Sequence, residues 1–338
     1  MNIYIIYRGM NLLRVVENWA APFVLVMTAL LVAWAIWRAG GLGYLLTQPA
    51  RFKTFGEFWP IFVPSLTAMI GFWATLSLNM PDFTRFGRSQ REQAVGQMVA
   101  LPSTMTVFAA MGVIITSAAM VIYPDMPAGD VWDPVKVVGR FDQAWVVAIS
   151  MFTVVVATLS VNIAANVVSP ANDFANAFPK WISFRLGGLI TGIIGILMQP
   201  WRLLADPSGY IFSWLLGYSG GLGSIAGVLI ADYWLVRKKQ LALADLYRTR
   251  GAYTYAGGWN WRAVVATVAG CFFAWIGLLL PDVIIPILDF KLRTLYDYAW
   301  FVGFGVAFVA HFVLMKIAPP TFLTPDAASA RAHAAKAA

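Results

Sequence analysis

Charge is scarce in this sequence. Only 12% of its 338 residues are Asp, Glu, Lys or Arg, against roughly a quarter in soluble domains, and that shortfall excludes an ordinary water-soluble fold. Thiols are scarcer still. The single cysteine, Cys271, excludes an intrachain disulfide framework and a thiolate metal site. Two histidines, His311 and His333, cannot build a zinc centre between them, and His311, near the end of an apolar run, reads as a packed or interfacial residue. No Walker loop, Ser–His–Asp set or paired catalytic carboxylates appear, so an enzyme embedded in a membrane would lack its acid–base groups, and the reading is not an enzyme. One string, Gly221-Leu-Gly223-Ser-Ile-Ala226, matches the dinucleotide fingerprint formally. It fails on context: no strand precedes it, and the next acid, Asp232, follows within a few residues.

Apolar residues fill the space that charge leaves. They make up 60% of the chain, with a mean hydropathy of +0.70. Fifteen Trp and twelve Tyr supply rings for two lipid–water interfaces. Run length and flanking charge mark about eight spans, near 12–37, 58–78, 95–123, 144–168, 184–201, 209–236, 263–280 and 294–315. Residues 1–10 are too short for a span and lack the layout of a signal peptide. The tail from Pro319, small and polar, reads as disordered. With the N-terminus placed in the cytoplasm, sixteen of the 24 Lys and Arg fall inside and eight outside, so both ends are cytoplasmic by the positive-inside rule. The net charge of +8 is thus a topology signal and implies no nucleic-acid partner.

The stretch Ala144 to Asn172 carries the chain's densest intramembrane polarity. Thr158, Asn162 and Asn166 repeat at i, i+4 and i+8 on one helix face, with Ala157, Ser160 and Ala164 on the adjacent stripe. Polar side chains are costly in hydrocarbon and usually face other helices or a cavity. Two readings stand: a midplane binding site, or hydrogen-bond glue between helices. The second span holds Ser65, Thr67, Gly71, Thr75 and Ser77, with Gly71 just before Phe72 and Trp73. Glycine permits unwinding, so a break exposing backbone to a ligand is one reading; close packing of a neighbour is the other. Pro81 stops that span, and Ser89 with Glu92 has the spacing of a capping box opening a helix at Gln90. Gly223 and Gly227 lie at GxxxG spacing with Ala231 a turn further, and Gly188 and Gly192 repeat the device.

Several motifs taken together resemble the nucleobase:cation symporter family, type 1, which includes hydantoin, allantoin, uracil and cytosine permeases. They are Asn79-Met-Pro-Asp-Phe-Thr-Arg-Phe, Ser89-Gln-Arg-Glu-Gln, Asn162-Ile-Ala-Ala-Asn-Val-Val-Ser-Pro-Ala-Asn-Asp, Ala231-Asp-Tyr-Trp-Leu-Val-Arg, Asp245-Leu-Tyr-Arg and Gly251-Ala-Tyr-Thr-Tyr. The resemblance implies an all-α polytopic membrane protein with the LeuT-type inverted-repeat fold. Residues 1–318 would form the transmembrane domain, matching the family's fifth to twelfth helices after the end of the fourth, with the first four not in this sequence. Residues 319–338 would form a cytoplasmic tail.

It further implies an inner-membrane symporter of a small planar nitrogen heterocycle. Trp73 would stack on the ring, Gly71 and Phe72 would sit at the break beside it, and Asn166 would read the ring's hydrogen-bonding edge. The family's sodium site would use the backbone oxygen of Ala157 and the hydroxyl of Ser160. The next position commonly carries a hydroxyl but is Val161 here, which leaves Na+ or H+ as the coupling ion. No cofactor is implied. A non-transporting scaffold or regulatory fragment, and a LeuT-type transporter of another solute, are the alternatives.

Overall fold

The computed structural model describes residues 4–5, 10–47, 52–84, 87–127, 129–206, 209–248, 251–285 and 290–320, so the expected tail beyond Pro320 lies outside the described residues. Among the described residues nine helices have eight residues or more: α1 (Met10–Arg38), α2 (Phe55–Asn79), α3 (Gln90–Ile122), α4 (Ala144–Asn162), α5 (Ser169–Ala177), α6 (Phe184–Leu197), α7 (Leu216–Ile230), α8 (Trp261–Leu279) and α9 (Ala299–Ile317). Three wider π turns adjoin them, at Ile163–Val168, Tyr210–Leu215 and Ala231–Val236. Among the described residues, seven helical segments are long and apolar enough to cross a membrane.

The fifth expected span, 184–201, divides. Helix α6 has 14 residues, about 21 Å at the α-helical rise and short of the roughly 30 Å hydrocarbon core. Gln199 then takes a left-handed φ of 51°, and a separate turn of helix begins at Pro200. Proline cannot donate the backbone bond that would continue α6.

Local chemistry sets several helix starts. Ser89 caps α3, its hydroxyl accepting from the Glu92 backbone N–H at 3.1 Å. Ser183 caps α6 in the same way, accepting from Leu186 N–H at 3.3 Å. The acidic run Asp125, Asp130 and Asp133 is used residue by residue. Asp125 pairs with Arg140 at 2.8 Å and Asp130 with Lys136 at 2.5 Å, while Asp133 caps the short helix Pro134–Val138.

The chain divides into two compact units: residues 1–51 with 79–200, and residues 52–78 with 201–338. In the first unit α1 packs on α3 and α4, and α5 packs on α6. Its contacts rely on rings and small aliphatics: Trp34 meets Phe141 edge-on at 4.7 Å and Phe23 meets Phe152 at 5.8 Å. Ala35, Ala39, Leu45 and Ala118 form one buried cluster. Ile5 joins Ile163, Val167 and Val168 in another.

The second unit is built on a seam of small residues among α7, α8 and α9. A β-carbon placed on Gly223 would lie 2.5 Å from the Trp300 carbonyl oxygen, and one on Gly227 would lie 2.4 Å from that of Phe304. Gly303 approaches the Gly220 carbonyl equally closely, and Gly270 meets both Ser224 and Gly303. The GxxxG reading of α7 is therefore what the backbones do, because only glycine lets them touch. In the first unit a β-carbon on Gly187, beside the expected Gly188, would lie 2.6 Å from the Ala171 carbonyl oxygen.

Candidate functional site

The expected site residues divide between the two units, Trp73 with Gly71 and Phe72 in the second and Asn166 with Ala157, Ser160 and Val161 in the first. Each group is described in its own surroundings.

In the second unit, α2 runs unbroken from Phe55 to Asn79. The interruption expected at Gly71 is absent, and the packing reading of this glycine is the one observed. A β-carbon at Gly71 would fall 2.5 Å from that of Ser219 and 2.9 Å from the Leu215 carbonyl oxygen. The missing side chain is filled by a neighbouring helix, so the helical bonds stay closed. Two hydroxyls hold α2 in place. Thr67 donates to the Asp297 carbonyl at 2.7 Å, and Thr75 Oγ1 lies 2.9 Å from the Tyr218 hydroxyl. Between them Phe72 is half exposed and Trp73 half buried, their rings nearly perpendicular at 5.6 Å. An edge-to-face pair of this kind fixes ring orientation.

The same unit has a cavity of about 410 Å³ lined by Trp214, Tyr218, Trp275 and Tyr296. Trp214 and Tyr218 stack at 5.1 Å, and the Trp275 indole donates to the Gly217 carbonyl at 2.7 Å. Trp214 and Tyr218 are four residues apart on one helical stretch, whereas Trp275 and Tyr296 come from other elements, so no spacing rule could have assembled all four.

In the first unit, the polar stripe of α4 runs into the π turn Ile163–Val168. Single π turns are rare and recur at functional sites, since they shift the register of the helix face. Asn162 and Asn166 bridge this junction, with Asn166 Nδ2 donating to Asn162 Oδ1 at 3.0 Å. Asn166 is exposed, so its remaining carboxamide donor and acceptor face outward from the unit. Beneath the turn, Ser169 Oγ and Asn172 Nδ2 are buried without a hydrogen-bond partner.

Thr158 lies one α-helical turn before Asn162 on α4. It lines a cavity of about 420 Å³ together with Ala157, Thr28, Thr116, Ser150 and Thr153. Ser160 is buried and Val161 is 61% exposed. A hard cation takes about six oxygens, of which the Ala157 carbonyl and the Ser160 hydroxyl could supply two. Among the described residues no group of three or more His, Cys, Asp and Glu side chains is gathered for a metal.

One polar cluster went unseen in the sequence. His311 is fully buried on α9 and its Nε2 lies 3.2 Å from Asp232 Oδ1. The other Asp232 oxygen accepts from Arg237, whose guanidinium also donates to the Tyr255 hydroxyl and lies over the Tyr253 ring. Burial pushes the Tyr255 phenol above its ordinary range, against the Arg237 charge beside it. The partners stand up to 79 residues apart in the chain, too far for any local pattern.

Comparison with known proteins follows this geometry. The profile of a family described as permeases for cytosine/purines, uracil, thiamine and allantoin matches residues 1–303. An allantoin permease of Bacillus subtilis (strain 168) is 42% identical over 325 residues, covering 96% of this chain and 63% of that protein. A purine-uracil permease of Arabidopsis thaliana is 38% identical, covering 92% of this chain and 51% of its own. The chain thus spans between half and two-thirds of the length of these relatives. Among solved structures, that of MHP1, a nucleobase-cation-symport-1 family transporter in a closed conformation with bromovinylhydantoin bound, superposes with a TM-score of 0.67 at 24% identity. It covers 97% of this chain and 68% of MHP1, and it establishes the fold.

Proposed function

Because the chain belongs to the family of permeases for cytosine and purines, uracil, thiamine and allantoin, we propose that it holds the substrate groups of a secondary transporter for a small planar nitrogen heterocycle such as allantoin, hydantoin or uracil. The observation that carries this reading is the Asn162–Asn166 pair at the π turn. An amide pinned by its neighbour keeps one donor and one acceptor for the edge of a ureide or pyrimidine. Trp73, set edge-to-face against Phe72, offers an indole for stacking on a planar ring.

In this reading Gly71 and Phe72 position Trp73 rather than touch the substrate. The transport cycle is alternating access, with one group of helices rocking against another about a midplane site. A cation gradient drives it, with Na+ or H+ as the ion. The membrane is the inner membrane, with both termini cytoplasmic, which the sixteen-to-eight division of basic residues supports.

Uptake of radiolabelled allantoin, hydantoin and uracil by cells making the protein tests the proposal. Asn166→Ala is expected to abolish uptake of whichever ring is taken while leaving the protein in the membrane. Undiminished uptake by that variant would remove the assignment.

A further inference from the structure

One end of the second unit gathers cations that its own acids do not neutralise. The π turn Ala231–Val236 ends there, α8 begins there and α9 ends there. These termini are adjacent: Asn260 contacts Met315 Sδ at 3.9 Å, Arg262 donates to the Ala318 carbonyl, and His311 meets Asp232. Among the described residues the acids at this end are Asp232 and Asp245, and both are engaged, by Arg237 and by Arg248. Lys238, Lys239, Arg262 and Lys316 remain in excess.

Three of these four cations lie over aromatic faces. Lys239 sits 4.3 Å from the Trp234 ring, Arg262 4.7 Å from Trp261 and Lys316 4.4 Å from Phe312. Lys238 and Lys239 are exposed, and both take left-handed backbone, φ 48° and 65°, which L-residues adopt at a cost. Half-exposed indoles at 234 and 261 beside such cations are the side chains that settle at the headgroup level of a bilayer.

We propose that this end of the second unit is a docking surface for anionic phospholipid headgroups. The lysines and Arg262 would hold the phosphates, and the rings would sit at the level of the glycerol backbone. Charge complementarity commits the surface to an anionic lipid, since a zwitterionic headgroup brings its own cation.

Native mass spectrometry of the purified chain in detergent micelles doped with phosphatidylglycerol or phosphatidylcholine tests this. Phosphatidylglycerol is expected to be retained preferentially. The triple variant K238Q/K239Q/K316Q should lose it by about fivefold in apparent affinity per lysine removed. The triple arginine variant should keep it, and its retention shows that the fold is not what changed. Equal retention of phosphatidylcholine, unchanged retention by the glutamine variant, or complete displacement of the lipid by inorganic phosphate would each overturn the proposal.

Discussion

The two units pack by different means. The most apolar 18-residue stretch of the second unit's Ser213–Val236 is 56% buried and those of its other spans 28%, 22% and 22%, against 11%, 11% and 6% for the three spans of the first. The reason lies in side-chain size. Glycines at 220, 223, 227, 270 and 303 bring backbones into contact in the second unit, while the first packs through ring pairs and small aliphatics; each unit keeps a cavity, of about 410 Å³ in the second and 420 Å³ in the first. In hydrocarbon, close backbone approach and interhelical hydrogen bonds drive association, since lipid tails are as apolar as leucine. The second unit has the build of a rigid scaffold. The first keeps its polar groups, Asn162, Asn166 and Thr158, on surfaces with room around them.

Substitutions can break or sharpen that contrast. The largest expected effect is at the buried ion cluster of the second unit. Asp232→Ala would strand Arg237, whose side chain is 7% exposed, and should cost about 3–5 kcal/mol in a denaturant titration. Next comes the glycine seam: Gly303→Ala forces a β-carbon to 2.4 Å from a carbonyl oxygen and should cost roughly 1–3 kcal/mol. Removing the α3 cap in the first unit with Ser89→Ala should cost about 1 kcal/mol. Smallest is Gly112→Ala, where a β-carbon meets nothing within 4 Å beside the first unit's cavity. That change should be neutral or slightly stabilising, and a loss as large as that of Gly303→Ala would erase the contrast between the units.

What could be read in advance was local. The Ser89 cap depends on residues three apart, and the α7 seam follows from glycines four apart on one face, so both are visible as spacing. Gly71 shows the limit. Its freedom to unwind is a property of the residue, but its actual role is set by Ser219 and Leu215, which come from a distant helix. The π turn at Ile163–Val168 has no residue signature, because its dihedrals differ little from those of an α-helix. His311 was expected to be packed or interfacial and is packed, but its pairing with Asp232 depends on tertiary structure alone.

The central claim is that Trp73 offers a stacking face to a planar ring. Calorimetric titration of allantoin, hydantoin and uracil into the purified protein and its Trp73→Phe and Trp73→Ala variants tests it most directly. The account predicts that a ring bound by the parent keeps most of its affinity with Phe and loses roughly tenfold to a hundredfold with Ala, the range found when aromatic platforms for bases are truncated. Equal dissociation constants for the parent and Trp73→Ala would contradict it.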